Sequence, residues 1–192
     1  MPNWCYTNYM FTGDEGEIKQ FSERIAHAMV VNRVPNDWGR TFLGNILEEF
    51  GTSYDAVRCR GCIMDIMEHD KKTLEIMTET AWVPMSEVWD VILVNYKSIS
   101  YVMMAEEPGC DLFINTDTSG VYYSTKYRVY LSFDDESEEN TEEYFDTLDE
   151  MFEFLSAILH KSIDNMSDIE AINEDEHSGV RVYVNEYDEH KL

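Results

Sequence analysis

The first 58 residues begin with a strand pattern that gives way to a helix pattern. Residues 3–12 are rich in aromatic and β-prone side chains, which favours a strand. Gly13 ends that run, and from Asp14 to about Met29 apolar residues recur every three or four positions, which predicts an amphipathic helix. Residues 30–58 show neither period and contain several Gly and Pro residues, so we expect loops there.

The next fifty residues predict two strands, a helix and another strand. Residues 60–68 and 73–81 favour strands joined by a polar turn. A proline opens an apolar-periodic run that predicts a helix over 84–97, and residues 99–105 favour a further strand. Residues 1–108 therefore have the order β-α-β-β-α-β. That order is the ferredoxin-like arrangement, an α+β fold in which an antiparallel sheet carries two helices on one face.

Residues 109–192 are expected to form an acidic C-terminal β/α extension packed on that domain. Alternating apolar residues predict its strands, and a long amphipathic run predicts its helix. In chain order the predicted elements are strands 111–116 and 121–133, an acidic loop 134–140, a helix 141–163, a second acidic loop 164–177 and a closing strand 179–187.

The charge of the chain is large, negative and uneven. Apolar residues make up 44 % of the sequence, enough for a packed core, yet the formal net charge is −25. Residues 134–192 hold 20 of the 39 acids but only three Lys or Arg residues. Such a chain repels nucleic acid and anionic membranes and attracts basic surfaces. We therefore expect no direct binding to nucleic acid or to a membrane.

The predicted helix 141–163 separates its acids from its apolar residues. At about 100° per residue, the acids fall on the side opposite the apolar stripe. Asn140 is a suitable N-cap, with Glu143 three residues later as in a capping box. We expect partner-binding carboxylates on this helix and on the loop before it: Asp134, Asp135, Glu136, Glu138, Glu139, Glu142, Glu143, Asp146, Asp149, Glu150 and Glu153.

The spacing of these carboxylates on a helix suggests a function. They would provide roughly one charge every 3 Å along the axis, close to the rise of about 3.4 Å per phosphate on one DNA strand. A row of that density could occupy the phosphate-binding groove of another protein. Another acidic docking role and an ordinary solvated face remain the alternatives for the same residues.

Other motifs give weaker indications of chemistry. Cys59 and Cys62 form a CxxC pair, but a zinc site needs two further ligands, and no second CxxC or HxxxH is present. Residues 115–120 imitate half of a calcium loop and lack the glutamate that completes one, so a turn explains them better. No nucleophile elbow, P-loop or dinucleotide-binding glycine pattern is present. We accordingly predict no metal site, cofactor or catalytic residue.

Three short segments resemble a known family. The opening MPNWC, the segment GTSYDA over Gly51–Ala56 and the segment TAWVPM over Thr80–Met85 occur in the order seen in the YubB-like proteins of phages and plasmids. The resemblance covers about residues 1–120 and departs from the family pattern at Thr7 and Met85. It implies a ferredoxin-like domain and a mobile-element origin, and supplies no established reaction.

Charge and resemblance together suggest a function. We expect a phage or mobile-element accessory protein that acts in the bacterial cytoplasm and inhibits a basic, nucleic-acid-binding defence protein. A CRISPR effector nuclease or its nucleoprotein complex is the expected partner, so the protein would be anti-CRISPR-like. The alternatives are a small enzyme that uses carboxylates and a divalent metal, and an acidic structural protein that forms homodimers.

Overall fold

The computed structural model describes residues 3–31, 33–135, 137 and 139–190 and contains two antiparallel sheets with five α-helices in that part of the chain. The strands are β1 (Trp4–Thr12), β2 (Gly61–Asp70), β3 (Thr73–Ala81), β4 (Ser100–Glu107), β5 (Leu112–Asn115), β6 (Tyr127–Phe133), β7 (Thr141–Phe145) and β8 (Val180–Glu186). The helices are α1 (Glu15–Val30), α2 (Leu43–Glu49), α3 (Ser86–Leu93), α4 (Leu148–Leu159) and α5 (Met166–Glu174).

Five strands form the sheet of the first compact unit, in the order β2-β3-β1-β4-β5 with antiparallel neighbours. β1 is central, and its pairing with β3 runs without interruption from Trp4 opposite Ala81 to Thr12 opposite Thr73. The four strands predicted over residues 1–108 are confirmed, as is the helix that ends near Met29. The helix predicted over 84–97 is also present but shorter.

The core of this unit is aromatic. Alternate side chains of β1, among them Tyr9 and Phe11, are fully buried together with Phe21 of α1 and Trp89 of α3. The Trp89 ring lies 5.3 Å from the Phe11 ring and 5.7 Å from the Tyr9 ring, both edge to face. Edge-to-face geometry is favourable because the positive ring edge meets the negative ring face. Trp89 thus links α3 to the sheet.

Two features of the first unit differ from the prediction. Residues 30–58, expected to be loops, contain α2, whose Leu43, Ile46 and Leu47 are fully buried. The first unit extends to Asp117 and the second covers Thr118–Glu189, whereas we expected the boundary after residue 108. The boundary lies later because β5 adds an edge strand to the first sheet by pairing with β4.

The second unit is a three-stranded sheet, order β7-β6-β8, with two helices. One face of the sheet packs against α4 and α5 through Val129 and Leu131 of β6 and Met151 and Leu155 of α4. The closing strand 179–187 is confirmed by β8. The strand predicted over 121–133 begins only at Tyr127.

The prediction of a single helix over 141–163 is wrong. Residues 141–145 form β7, which pairs with β6, and the helix begins only at Leu148. Thr147 caps it: the Glu150 N–H donates to the Thr147 hydroxyl and the Thr147 N–H donates to the Glu150 carboxylate, a complete capping box. Asn140 therefore does not start a helix. A second helix, α5, occupies most of the predicted acidic loop 164–177.

Glu17 gives the first unit a testable pH dependence. Its carboxylate accepts the Ser98 N–H at 2.8 Å, the Ser98 hydroxyl at 2.7 Å and the Lys97 N–H at 3.2 Å, and these donors lower the pKa of Glu17, the Ser98 N–H most strongly. Since a depressed pKa means that ionisation stabilises the fold, this contribution exists above the ordinary pKa of 4.5 and is lost as the pH falls through the lower folded value.

We expect Glu17→Gln to be less stable than the parent at neutral pH, with the difference shrinking as the pH falls below 4.5. Urea unfolding at neutral and at acidic pH measures this. Glu23→Gln is the matched control, because Glu23 lies on the same helix in an exposed pair with Lys19. A Glu17→Gln deficit that does not change with pH would contradict the assignment.

Candidate functional site

The expected partner-binding acids lie on three elements and not on one helix face. Glu142 and Glu143 are on β7, Asp146 follows that strand, and Asp149, Glu150 and Glu153 are on α4. Because successive residues of a strand point to opposite faces, Glu142 and Glu143 are directed apart. Asp134, Asp135 and Glu139 precede β7, whereas Glu136 and Glu138 lie outside the described residues. The regular 3 Å row of charges is therefore not formed.

Two of these acids serve the fold itself. Glu142 accepts a hydrogen bond from Nε of Arg128, and Glu150 completes the capping box of α4. Asp135 also has a local partner, since it accepts the Ser137 N–H at 2.8 Å, which lowers the pKa of Asp135. Carboxylates with such contacts are less available to a partner protein than their neighbours.

The remaining acids form an exposed, uncompensated set. The second unit contains 20 Asp or Glu and four Lys or Arg residues. Among its described residues one ion pair is present, between Arg128 and Glu142. Within residues 141–153, four acids lack such a fold contact, and all four are exposed. We call them the acidic patch: Glu143, Asp146, Asp149 and Glu153.

Arg128 was missed by the sequence analysis and organises the face of the small sheet opposite α4 and α5. It is buried, and it donates to Glu142 of β7 and to Asn185 of β8, at 3.2 Å in the second case. Its guanidinium also lies 5.7 Å from the Tyr130 ring centre. One side chain thereby ties all three strands together. A lone arginine in a β-rich run gave no signal, because cross-strand partners are not visible in sequence.

We expect Arg128→Met to lower the free energy of unfolding by about 2 kcal/mol, because it removes charged hydrogen bonds and leaves Glu142 without its buried partner. Urea unfolding measures the loss. Glu142→Gln is the control: it keeps an acceptor for Arg128 and removes only the charge, so its loss should be smaller. Equal stability of Arg128→Met and the parent would show that the cross-strand contacts contribute nothing.

The CxxC residues lie in different surroundings. Cys59 belongs to the first unit's core, and burial raises its pKa to about 11. Cys62 is half-buried, with its sulfur 3.8 Å from that of Met64. Gly61 between them pairs so closely with β3 that a β-carbon would collide with the Glu79 carbonyl. The glycine thus serves strand pairing, and no group of three metal-binding side chains occurs among the described residues.

A cleft in the first unit brings together segments that are distant in sequence. Its volume is about 510 Å³. Two of the segments noted for their family resemblance contribute to it, the first through Tyr54 and Asp55. The full lining is Phe42, Tyr54, Asp55, Val57, Arg58, Cys59, Arg60, Ala81, Trp82, Val83 and Met85. Apolar walls with a few polar groups are typical of small-molecule sites.

Trp82 is the unusual residue of this cleft. Its φ is +77°, a left-handed conformation that bulky residues adopt only at a cost of about 1–3 kcal/mol. Two hydrogen bonds hold the backbone there: the Trp82 N–H donates to the Asn3 carbonyl at 3.0 Å, and the Thr80 hydroxyl donates to the Val83 carbonyl at 2.8 Å. Its side chain nevertheless remains 45 % exposed. The sequence gave no indication of this geometry.

Comparison of the chain with protein-family models, with curated proteins and with solved structures finds no match in any of the three. The YubB-like resemblance therefore stays a prediction based on three short segments. Across the described residues, no helix is long and apolar enough to cross a membrane.

Proposed function

We propose that this protein binds a basic, nucleic-acid-binding protein through its second unit and thereby keeps nucleic acid from that partner's groove. The observation that carries the proposal is the exposed acidic patch, in a unit that contains 20 Asp or Glu but only four Lys or Arg residues. Clustered carboxylates raise the local concentration of a basic partner and accelerate its association.

Fold stability explains only part of the patch: Asp149, in the first turn of α4, is favoured by the helix dipole. Like charges close together on one small unit repel each other, and acids beyond the first turn of a helix gain nothing from its dipole. Glu153 lies in the second turn of α4, and Glu143 is on the edge strand β7. Edge charges also discourage strand-to-strand aggregation, which explains Glu143 but leaves Glu153 without a role in stability.

The geometry supports a broad acidic surface more than a literal copy of one DNA strand. The acids are distributed over a strand, a turn and a helix, so their spacing is irregular. A basic groove that binds phosphates mainly by charge tolerates such irregularity, because backbone contacts carry little sequence information. Charge density is therefore the property that we propose the partner recognises.

For the first unit we propose a ferredoxin-like domain with an added edge strand and an added helix. Supporting this are the element order β1-α1-β2-β3-α3-β4 and the central position of β1 between β3 and β4. A mobile-element origin, and with it an anti-CRISPR-like role against a defence nuclease in the bacterial cytoplasm, follows from the family resemblance alone and belongs to the same proposal.

The test is capture of partners from nuclease-treated bacterial lysate with the tagged full chain, at low and at high salt. We expect one basic nucleic-acid enzyme to be retained at low salt and released by salt or by added DNA or RNA, since both screen or compete for the same contacts. Recovery of the protein's own copies alone would favour the structural alternative. Tightly bound divalent metal in the purified protein would favour the enzymatic one.

A further inference from the structure

The cleft in the first unit presents two arginines on one side of an extended segment. Val57 and Cys59 are buried while Arg58 and Arg60 are exposed, an alternation expected of extended backbone. The Arg60 carbonyl accepts the Ala81 N–H at 2.9 Å, so the segment is held beside the end of β3. Both side chains consequently leave the backbone on the same side, from α-carbons that two backbone steps place about 6–7 Å apart.

These two arginines line one cleft and lack an ion pair, although the chain is strongly acidic. The sequence has 39 acids for 14 Lys and Arg residues, so a positive side chain has many potential partners. Among the described residues Arg24, Arg33 and Arg128 form ion pairs with glutamates, whereas Arg40 and Arg181 form none. In the described part of the chain neither Arg58 nor Arg60 has a carboxylate within ion-pair distance. The planar guanidinium binds phosphate oxygens through two parallel hydrogen bonds, which makes this pair suited to an anion.

The rest of the cleft is suited to a flat ring. Trp82 directly follows β3 and is half-exposed. Hydrogen bonds before and after it hold its backbone at positive φ, which fixes the point from which the indole extends. Tyr54 and the apolar Val83 also line the cleft. Indole and phenol faces stack on nucleobases with little dependence on which base is present.

Size restricts the ligand further. About 510 Å³ lies within the range of sites for small organic ligands and accommodates one ring system with one charged group. Asp55 also lines the cleft and disfavours long polyanions, as does the net charge of −25. A single ring with one phosphate therefore fits better than a nucleic-acid strand.

We propose that this cleft is a binding site for a mononucleotide, with the base stacked on Trp82 and the phosphate held by Arg58 and Arg60. The site lies wholly within the first unit and is independent of the acidic patch. It gives the protein a small-molecule ligand in addition to a protein partner.

Calorimetric titration of the full chain tests the site, with AMP, GMP, CMP and UMP as probes. Adenosine, which lacks the phosphate, and inorganic phosphate, which lacks the ring, are titrated separately for comparison. We expect at least one nucleotide to bind, and to bind at least about tenfold more tightly than adenosine or phosphate alone, because ring and phosphate are held at once. Failure of all four nucleotides to bind at millimolar concentration would overturn the proposal. Equal affinity for nucleotide and phosphate would do the same.

Variants assign the binding to the cleft. Arg58→Gln with Arg60→Gln should weaken nucleotide binding at least about tenfold, whereas Arg40→Gln, an exposed arginine outside the cleft, should leave it unchanged. Trp82→Ala should weaken nucleotide binding and leave phosphate binding unaffected, and melting temperatures establish that each variant is folded. Nucleotide binding that survives the double arginine change, or that falls equally in Arg40→Gln, would place the ligand elsewhere.

Discussion

Reversal of the acidic patch, with Glu143, Asp146, Asp149 and Glu153 each changed to lysine, is expected to weaken partner binding by about a hundredfold. Four attractive contacts become repulsive, and at somewhat under 1 kcal/mol each they amount to roughly 3 kcal/mol of binding free energy. Glu142 and Glu150 are left intact because they pair with Arg128 and cap α4. The variant should therefore remain folded, and its dissociation constant for the captured partner is the measurement.

A second variant distinguishes an effect of the acidic patch from an effect of net charge. Glu170, Glu174, Glu176 and Glu189 are also exposed acids of the second unit, so changing them to lysine alters the net charge equally. If the patch is the binding surface, this control should retain most of its affinity for the partner, and its association rate constant should fall more than its affinity. Equal losses in both variants would show that net charge, and no particular surface, attracts the partner.

Trp89→Ala is expected to lower the free energy of unfolding by about 3–5 kcal/mol, the range for deleting a buried tryptophan. The Trp89 ring has no solvent exposure and contacts the rings of Tyr9, Phe11 and Phe21. Its removal leaves a cavity that three rigid rings from β1 and α1 cannot fill. Since whole domains are stable by only about 5–15 kcal/mol, the change removes a large share of the total.

Urea unfolding followed by near-ultraviolet circular dichroism measures the effect of Trp89→Ala. Val94→Ala is the matched control, because Val94 directly follows α3 and is 83 % exposed, so its loss should stay within about 0.5 kcal/mol. A Trp89→Ala protein within about 1 kcal/mol of the parent would show that the aromatic cluster is not central to the first unit's stability.

Most strands and helices of the first unit were predictable because each of them buries one face. The strand at β1 was recognised from its aromatic and β-prone residues, and the helix at α1 from apolar residues that recur with a period of about 3.6. The short helix α2 was missed because its seven residues include two glycine- or asparagine-type residues and no N-cap side chain. Its helical state comes from burial of Leu43, Ile46 and Leu47 against the core.

The acidic segment was mispredicted because two helix starts compete within eight residues. Asn140 with Glu143 and Thr147 with Glu150 both resemble capping boxes in sequence. Pairing decided between them: as a strand, residues 141–145 form backbone hydrogen bonds with β6, and the Phe145 ring lies 5.2 Å from the Phe154 ring. Sequence propensity does not contain that long-range gain.

The sequence by itself determined the charge of each unit, the strands and the first helix of the larger unit, and the presence of acids over residues 134–153. Only the tertiary structure decided which of those acids are available, because Arg128 and the α4 cap occupy two of them. It also decided that Arg58, Arg60 and Trp82 line one cleft. Composition and period are local properties of a chain, whereas a site depends on contacts between residues that are distant along it.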